Sequence, residues 1–244
     1  SAGAMSVQNL MTSPMAEGLI DGVIIESSVT VSFAEKADRS YPLDKAEQVG
    51  ALFFEKAGIK SLEEARKLPG EELVRLEDEL LGLGVHFEPA IDNIIIKEFN
   101  FEAYKNNHHH RIPVIAGYNR GEAESFAKAF TSPVETMEAF KQYAAGFGEK
   151  AEEFMALCNV KNDDEVKALF SRSAMLDLIA GARMFGYIQD SQDRKVYLYD
   201  FNADIPGDDN AGSYHGSEMW FAYDSLARCW RPFTGKHYDL ARQV

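Results

Sequence analysis

Cysteine is nearly missing from this sequence. Two thiols in 244 residues, Cys158 and Cys229, are too few for a disulfide scaffold, and without a CxxC pair they exclude a structural zinc site. A single bridge between them is left open. Positive charge is scarce as well: 25 Lys and Arg face 39 Asp and Glu, for a formal net charge of −14. A chain this acidic repels phosphate backbones and anionic lipid, which argues against nucleic acid and acidic membranes as partners. No uninterrupted apolar run approaches the ~20 residues needed to cross a bilayer. Internal repeats, low-complexity linkers and any composition shift marking a domain boundary are absent too. Ser1 to Ser6 lack both the basic stretch and the apolar core of a signal peptide. With Ser rather than Met in first place, the chain is expected to be processed or to lack its beginning, and its compartment, cytoplasmic or secreted, is undetermined.

What is present alternates. Ala2 to about Met11 is helix-compatible until Pro14 breaks the run, and Gly22-Val-Ile-Ile-Glu26 reads as a short buried strand rich in β-branched residues. Leu43, Ala46, Val49, Leu52 and Phe53 recur at three- and four-residue spacing between Pro42 and Lys67. Ser61-Leu-Glu-Glu64 has the form of a capping box opening another helix, and a third is expected from Gly70 to about Leu81. Residues 42–105 therefore read as a helical excursion. Two more strands follow, Arg111–Gly117 and Lys195–Phe201, separated by a long helical region from about Glu122 to Met184. Asp204–Gly212 is a loop by its Gly, Pro and Asp content, and Ser217–Arg231 reads as helix. Strands that alternate with helices imply a parallel sheet in an α/β protein, taken here as one domain over 1–244.

Open α/β sheets place their sites in loops at the carboxyl ends of strands. Three polar residues stand in such positions: Ser1 leading into a helix, Glu122 after the strand ending near Gly117, and His215 after the strand ending near Phe201. A hydroxyl nucleophile needs a base to take its proton, and that imidazole needs a carboxylate to fix its tautomer and stabilise its charged form. The order Ser, acid, His is the α/β-hydrolase order. Other clusters read more plainly. Adjacent His108, His109 and His110 on an extended segment point to alternate sides, so they form a solvated loop rather than a metal site. Trp220-Phe-Ala-Tyr223 and Cys229-Trp-Arg-Pro232 are read as core, with an acyl pocket as the other option, and Glu71-Glu72 and Glu77-Asp-Glu79 as the wet face of a helix.

Three separated motifs carry a family resemblance. Ser1-Ala-Gly-Ala-Met-Ser6 resembles the second half of the nucleophile elbow Gly-x-Ser-Ala-Gly-x-x-Ser, continued by Leu10-Met-Thr-Ser-Pro14 and Ile24-Ile-Glu-Ser27. Gly117-Tyr-Asn-Arg-Gly-Glu-Ala-Glu-Ser-Phe126 is similar to Gly-x-Asn-x-Asp-Glu-Gly-x-x-Phe, and Tyr214-His-Gly-Ser-Glu218 to His-Gly-x-Glu. The pattern is that of the type-B carboxylesterases, the serine esterase family of the cholinesterases and bacterial para-nitrobenzyl esterases. The resemblance covers essentially the whole chain and implies the C-terminal part of an α/β-hydrolase fold, its last three parallel strands with their covering helices.

The same resemblance implies roles. Ser1 would be the nucleophile, His215 the base and Glu122 the acid of a triad that cleaves small-molecule carboxylic esters through an acyl-enzyme, with no cofactor and no metal. The Ala2 N–H would be an oxyanion donor, Gly3 would permit close packing at the elbow, and Ser6 and Glu218 would support the triad. Gly121 stands where the family usually has Asp and Ala123 where it usually has Gly, which makes Glu124 the runner-up acid. The Gly-x of the elbow, the strand presenting the serine and the Gly-rich oxyanion loop are not among these residues. The chain is therefore expected to be inactive alone and to need the missing N-terminal part of its domain as partner. A sheet edge beside Gly22–Glu26 is expected to stay unpaired and to drive poor solubility or dimerisation. Two other readings are a hydrolase whose N-terminal Ser1 uses its own α-amine as base, and a non-catalytic cholinesterase-like interaction protein.

Overall fold

A computed structural model of the chain describes residues 1–28, 40–122, 134–170 and 173–244. They fall into two compact units, one drawn from Ser1–Val7, Gly22–Val31 and Ile112–Val244, the other from Gln8–Asp21 and Ser32–Arg111. In chain order the elements are α1 (Ala2–Thr12), β1 (Val23–Glu26), β2 (Tyr41–Pro42), α2 (Leu43–Ala57), α3 (Leu62–Ala65), α4 (Gly70–Gly82), β3 (Ala90–Ile91), α5 (Asn100–Lys105), β4 (Val114–Asn119), α6 (Met137–Ala145), α7 (Ala151–Cys158), α8 (Asp163–Phe170), α9 (Ser173–Ser191), β5 (Val196–Phe201), α10 (Met219–Ala222) and α11 (Gly235–Ala241).

The first unit is built on a three-stranded parallel sheet in the order β1-β4-β5. Register places Val23, Val114 and Val196 in one row and Glu26, Gly117 and Tyr199 in another. Gly117 has to be glycine, since a Cβ there would collide with the ring and carbonyl of Tyr199. On one face α9 packs on β4 and β5, close enough at Gly186 that a Cβ would stand 2.8 Å from Leu198 Cδ1. The strand expected at Arg111–Gly117 forms at Val114–Asn119 instead. Pro113 has no N–H to give the ladder and contributes only its carbonyl, which accepts from Val23 at 3.1 Å, while Tyr118 and Asn119 are buried and extend the strand. β1 is half-buried rather than buried: Ile25 is fully covered and Ile24 is 55% exposed.

The first unit holds two apolar clusters. Ile205, Phe221, Leu226 and Ala241 form one, with Tyr214, Trp220 and Phe233 packed against it. The other joins α6, α7 and α8 through Phe140, Tyr143, Phe147, Phe154 and Phe170, with Phe147 stacked on Phe154 at 4.3 Å. Helix over Ser217–Arg231 is not continuous. α10 gives way at Asp224, whose φ of 45° ends it, to a 3₁₀ turn at Leu226–Arg228. Trp220 and Phe221 are core there, whereas Tyr223 and Trp230 are more than 70% exposed. The long helical stretch ends at Ser191 rather than Met184 and is broken after Gly146 and at left-handed Asn159.

In the second unit α2 packs against α4, Val49 of the one and Leu76 and Leu80 of the other are buried, and β2 pairs in parallel with β3. The acidic runs are a wet face, as expected, with Arg75 bonded to Glu72 and Glu79 of α4. Ser61 caps α3 by accepting the Glu64 N–H at 3.2 Å, but the Glu64 carboxylate reaches the Lys60 N–H at 2.7 Å, one residue short of a reciprocal box. The histidines correct an expectation, because this is not a solvated loop. His109 is buried edge-on against Tyr104 at 5.1 Å, His110 Nε2 meets the Ser13 carbonyl at 2.8 Å, and His108 pairs with Glu98 at 2.6 Å. Three rings go to three partners, and among the described residues no cluster of metal ligands forms. Cys158 and Cys229 are both free thiols. Among the described residues, no helix is long and apolar enough to cross a membrane.

Candidate active site

Two loops meet at the carboxyl end of β4. The polypeptide leaves the strand at Asn119, and Gly121 donates its N–H to the Ser213 carbonyl at 3.0 Å, tying the segment that carries Glu122 to the segment that carries His215. Gly121, where the family pattern has Asp, has no room for a side chain, as a Cβ would stand 2.9 Å from the same carbonyl oxygen. Arg120 secures the turn from outside through its N–H to Phe201 at 2.9 Å and its guanidinium to Asp200 at 2.5 Å.

The Glu122 side chain is 2% exposed and faces inward. One carboxylate oxygen accepts the Asn119 N–H at 2.9 Å, the i to i+3 reach-back that a capping box uses. The other is hydrogen-bonded to Nδ1 of His215, whose ring is 25% exposed. Glu122 and His215 are thus brought together as expected, 93 residues apart in sequence. Glu124 and Ala123 lie outside the described residues.

Ser1 sits at the carboxyl end of the neighbouring strand. Its nitrogen donates to the Ser27 carbonyl at 3.0 Å, and Ser27, held at φ 61° directly after β1, donates in turn to Gly117 of β4 at 2.9 Å. Ser1 therefore stands at the same edge of the sheet as the Glu122–His215 pair. It is also the residue before α1, with its hydroxyl 3.5 Å from the Ala4 N–H and its carbonyl accepting from Met5. Ala2 is the first helical residue, where N–H groups have no partner within the helix. A Cβ on Gly3 would touch Ser1 Oγ at 3.9 Å, an ordinary contact. Ser6 is exposed and donates to the Ala2 carbonyl at 3.2 Å, so its hydroxyl serves α1. Glu218 is buried, and its carboxylate accepts from the Asn119 side-chain amide.

The surroundings are negative. Burial, and secondly the charge of Glu218, push the Glu26 carboxyl above its ordinary value. The Tyr199 phenol is driven far up by burial, with Glu26, Glu218 and Glu122 adding to it. On the segment leading to His215, Arg231 grips Asp209 with two bonds of 2.9 and 2.7 Å and the Pro206 carbonyl at 3.0 Å, and lies over the Tyr214 ring. Asn119 and Arg231 were not singled out by sequence. Neither carries a reactive group, and the hydrogen-bond partners of their side chains are 22 to 99 residues away. Only the Asn within the acid motif gave any signal.

A parallel sheet with an acid–imidazole pair at its carboxyl edge defines the α/β-hydrolase class. Solved PNB esterase structures share the fold: one superposes with a TM-score of 0.74 at 21% identity over 100% of this chain and 51% of that one, and a thermophilic PNB esterase gives 0.72 at 20% over 50% of its chain. The carboxylesterase family model matches residues 1–243, and the chain belongs to that family. It is 23% identical over 246 aligned positions to fumonisin B1 esterase of Sphingopyxis macrogoltabida, covering 93% of this chain and 41% of that protein. Against para-nitrobenzyl esterase of Bacillus subtilis strain 168 it is 27% identical over 156 positions, 60% of this chain and 30% of that protein. The chain thus spans about half or less of the length of these relatives.

Proposed function

We propose that this chain is part of the catalytic domain of a serine carboxylic ester hydrolase, with Ser1 as nucleophile, His215 as base and Glu122 as acid. The observation that carries the reading is the buried Glu122 carboxylate on His215 Nδ1, fixed from behind by the Asn119 N–H. A neutral imidazole that donates from Nδ1 keeps its Nε2 lone pair for the serine proton. Ser1 Oγ adds to the ester carbonyl while its proton passes to Nε2. The Ala2 N–H receives the developing oxyanion, and His215 returns the proton to the departing alcohol. Water then repeats the sequence on the acyl-enzyme, releasing the acid and restoring Ser1. Glu122 stabilises the imidazolium in both halves, with the charge of Glu218 nearby. Gly3 and Ser6 belong to the α1 turn that carries Ser1.

The substrate is a small-molecule ester, in keeping with the names of the relatives, and the chemistry needs neither metal nor cofactor. Turnover by these 244 residues alone is expected to be poor. The remaining oxyanion donors, each worth about 10²–10³ in rate, belong by resemblance to a Gly-rich loop outside them. Use of the Ser1 α-amine as base is disfavoured by its engagement as donor to Ser27.

A fluorophosphonate tests this without turnover. Ser1 Oγ displaces fluoride from phosphorus as its proton passes to His215, leaving a stable adduct. Intact mass and peptide mapping should find a single adduct on Ser1, abolished in H215A and slowed about 10⁴-fold in E122Q. Labelling elsewhere, or labelling of Ser1 unaffected by H215A, overturns the assignment.

A further inference from the structure

One residue of the acid motif, to which that motif assigns no part, bonds to the base segment. We propose that Asn119 is a positioning residue that clamps the His215 loop onto the Glu122 loop and so sets the tautomer and aim of the imidazole; the proposal rests on the hydrolase reading above. Asn119 ends β4 and is fully buried. Its main-chain N–H holds Glu122 at 2.9 Å. Its side-chain nitrogen donates to the Tyr214 carbonyl at 2.8 Å, lies 3.5 Å from Ser217 Oγ, and bonds the Glu218 carboxylate. One residue therefore grips the acid with its backbone and both flanks of His215 with its side chain. The Tyr214 carbonyl belongs to the peptide plane that leads into His215, so fixing it fixes where the ring starts.

The chemistry requires an amide. Both acceptors, a carbonyl and a carboxylate, face the nitrogen, and this sets the orientation of the group. Aspartate has the same shape but donates nothing, and it would place a third carboxylate beside Glu218 and Glu122. Leucine fills the volume, takes the amide donor from Glu218, and leaves the Tyr214 carbonyl with the Ser217 N–H alone. Among the described residues the Asn119 carbonyl oxygen has no hydrogen-bond partner, so the side chain is held there by its amide N–H donors.

The experiment uses the 244-residue protein with N119L, N119D, E122Q and N119L/E122Q. The first readout is the ¹⁵N-histidine NMR spectrum of His215, whose neutral form should be almost wholly the Nδ1–H tautomer in the parent and a mixture in N119L and N119D. The second is the pH profile of fluorophosphonate labelling of Ser1, where N119L should be slower by about 100-fold and its profile displaced. The third is the cycle: if Asn119 acts through the Glu122–His215 pair, N119L should cost little more in the E122Q background. Should N119L not fold, N119D reads the same quantities. An unchanged His215 tautomer in either folded variant, or costs that simply add in the cycle, overturns the clamp. A parent whose Ser1 never labels, with the tautomer still shifted by N119L, sinks the hydrolase reading and leaves the clamp standing.

Discussion

At Gly121 the acid and base segments approach so closely that the obstruction to a side chain is backbone, with the Ser213 oxygen 2.9 Å from where a Cβ would sit. A flexible side chain could move aside, but a carbonyl that also accepts the Gly121 N–H cannot do so without parting the loops. G121A should therefore lose about 1–3 kcal/mol of stability, read from the urea midpoint, and slow the labelling of Ser1; an unchanged midpoint would show that the loops yield freely. Glu26 makes a different demand. Burial, and then the Glu218 charge, hold its folded pKa above the unfolded value, so folding favours the protonated acid. Stability from this source is complete below the unfolded value, near 4.3, and is lost as pH rises through the raised folded value. E26Q should consequently fold with a flatter pH profile than the parent, its advantage growing from pH 4 and levelling off once Glu26 is ionised. Parallel profiles from pH 4 to 8 would contradict this.

Among the elements, the loop following β5 is latched by Arg231. Arg231 makes a bidentate pair with Asp209, caps the Pro206 carbonyl and lies between the Tyr214 and Trp230 rings. Lysine cannot reproduce the planar fork or the stacking. R231K should cost about 1–3 kcal/mol and speed amide exchange over residues 204–214, and exchange identical to the parent would show that the loop holds itself. Such latches explain which parts of the fold the sequence disclosed. β5 and α4 stand within a residue of where the sequence puts them, β5 pairing with β4 along its whole length and α4 burying Leu76 and Leu80. β4 moved three residues because Pro113 cannot enter the ladder as a donor. α11 escaped notice since His237, rather than Glu or Gln, completes its capping box with Thr234. Over Ser217–Arg231 the aromatic spacing imitated a helix although Trp220 and Phe221 pack from a broken one. Glu122 and His215 were legible because their motifs carry them. Asn119 was not, because what it does is visible only once residues nearly a hundred positions apart are neighbours.

For the molecule as a whole, charge and exposed apolar surface act in opposite directions. Cross-strand register lines up Ile24, Ile115 and Tyr197 on one face of the sheet, and they remain 55%, 40% and 62% exposed. Among the described residues β1 pairs with β4 on one side only. Covering half of each side chain contributes roughly 1 kcal/mol, so a symmetric pair of such faces gains on the order of 6 kcal/mol before any strand pairing. Association costs on the order of 4–15 kcal/mol in lost freedom, so the apolar row alone leaves at most about 2 kcal/mol, and self-association at millimolar or tighter needs strand pairing at β1 as well. A net charge of −14 on each copy opposes it further at long range, and salt removes that opposition. Sedimentation velocity should therefore show a concentration-dependent increase in mean mass that is greater at 0.5 M than at 0.05 M NaCl. The I24K/I115K variant should sediment as a monomer throughout, since a lysine in the row both removes apolar area and adds a charge that must be desolvated. A single monomeric species in the parent at high salt and high concentration would mean that the row is not adhesive. Association that survives I24K/I115K would move the contact to another surface.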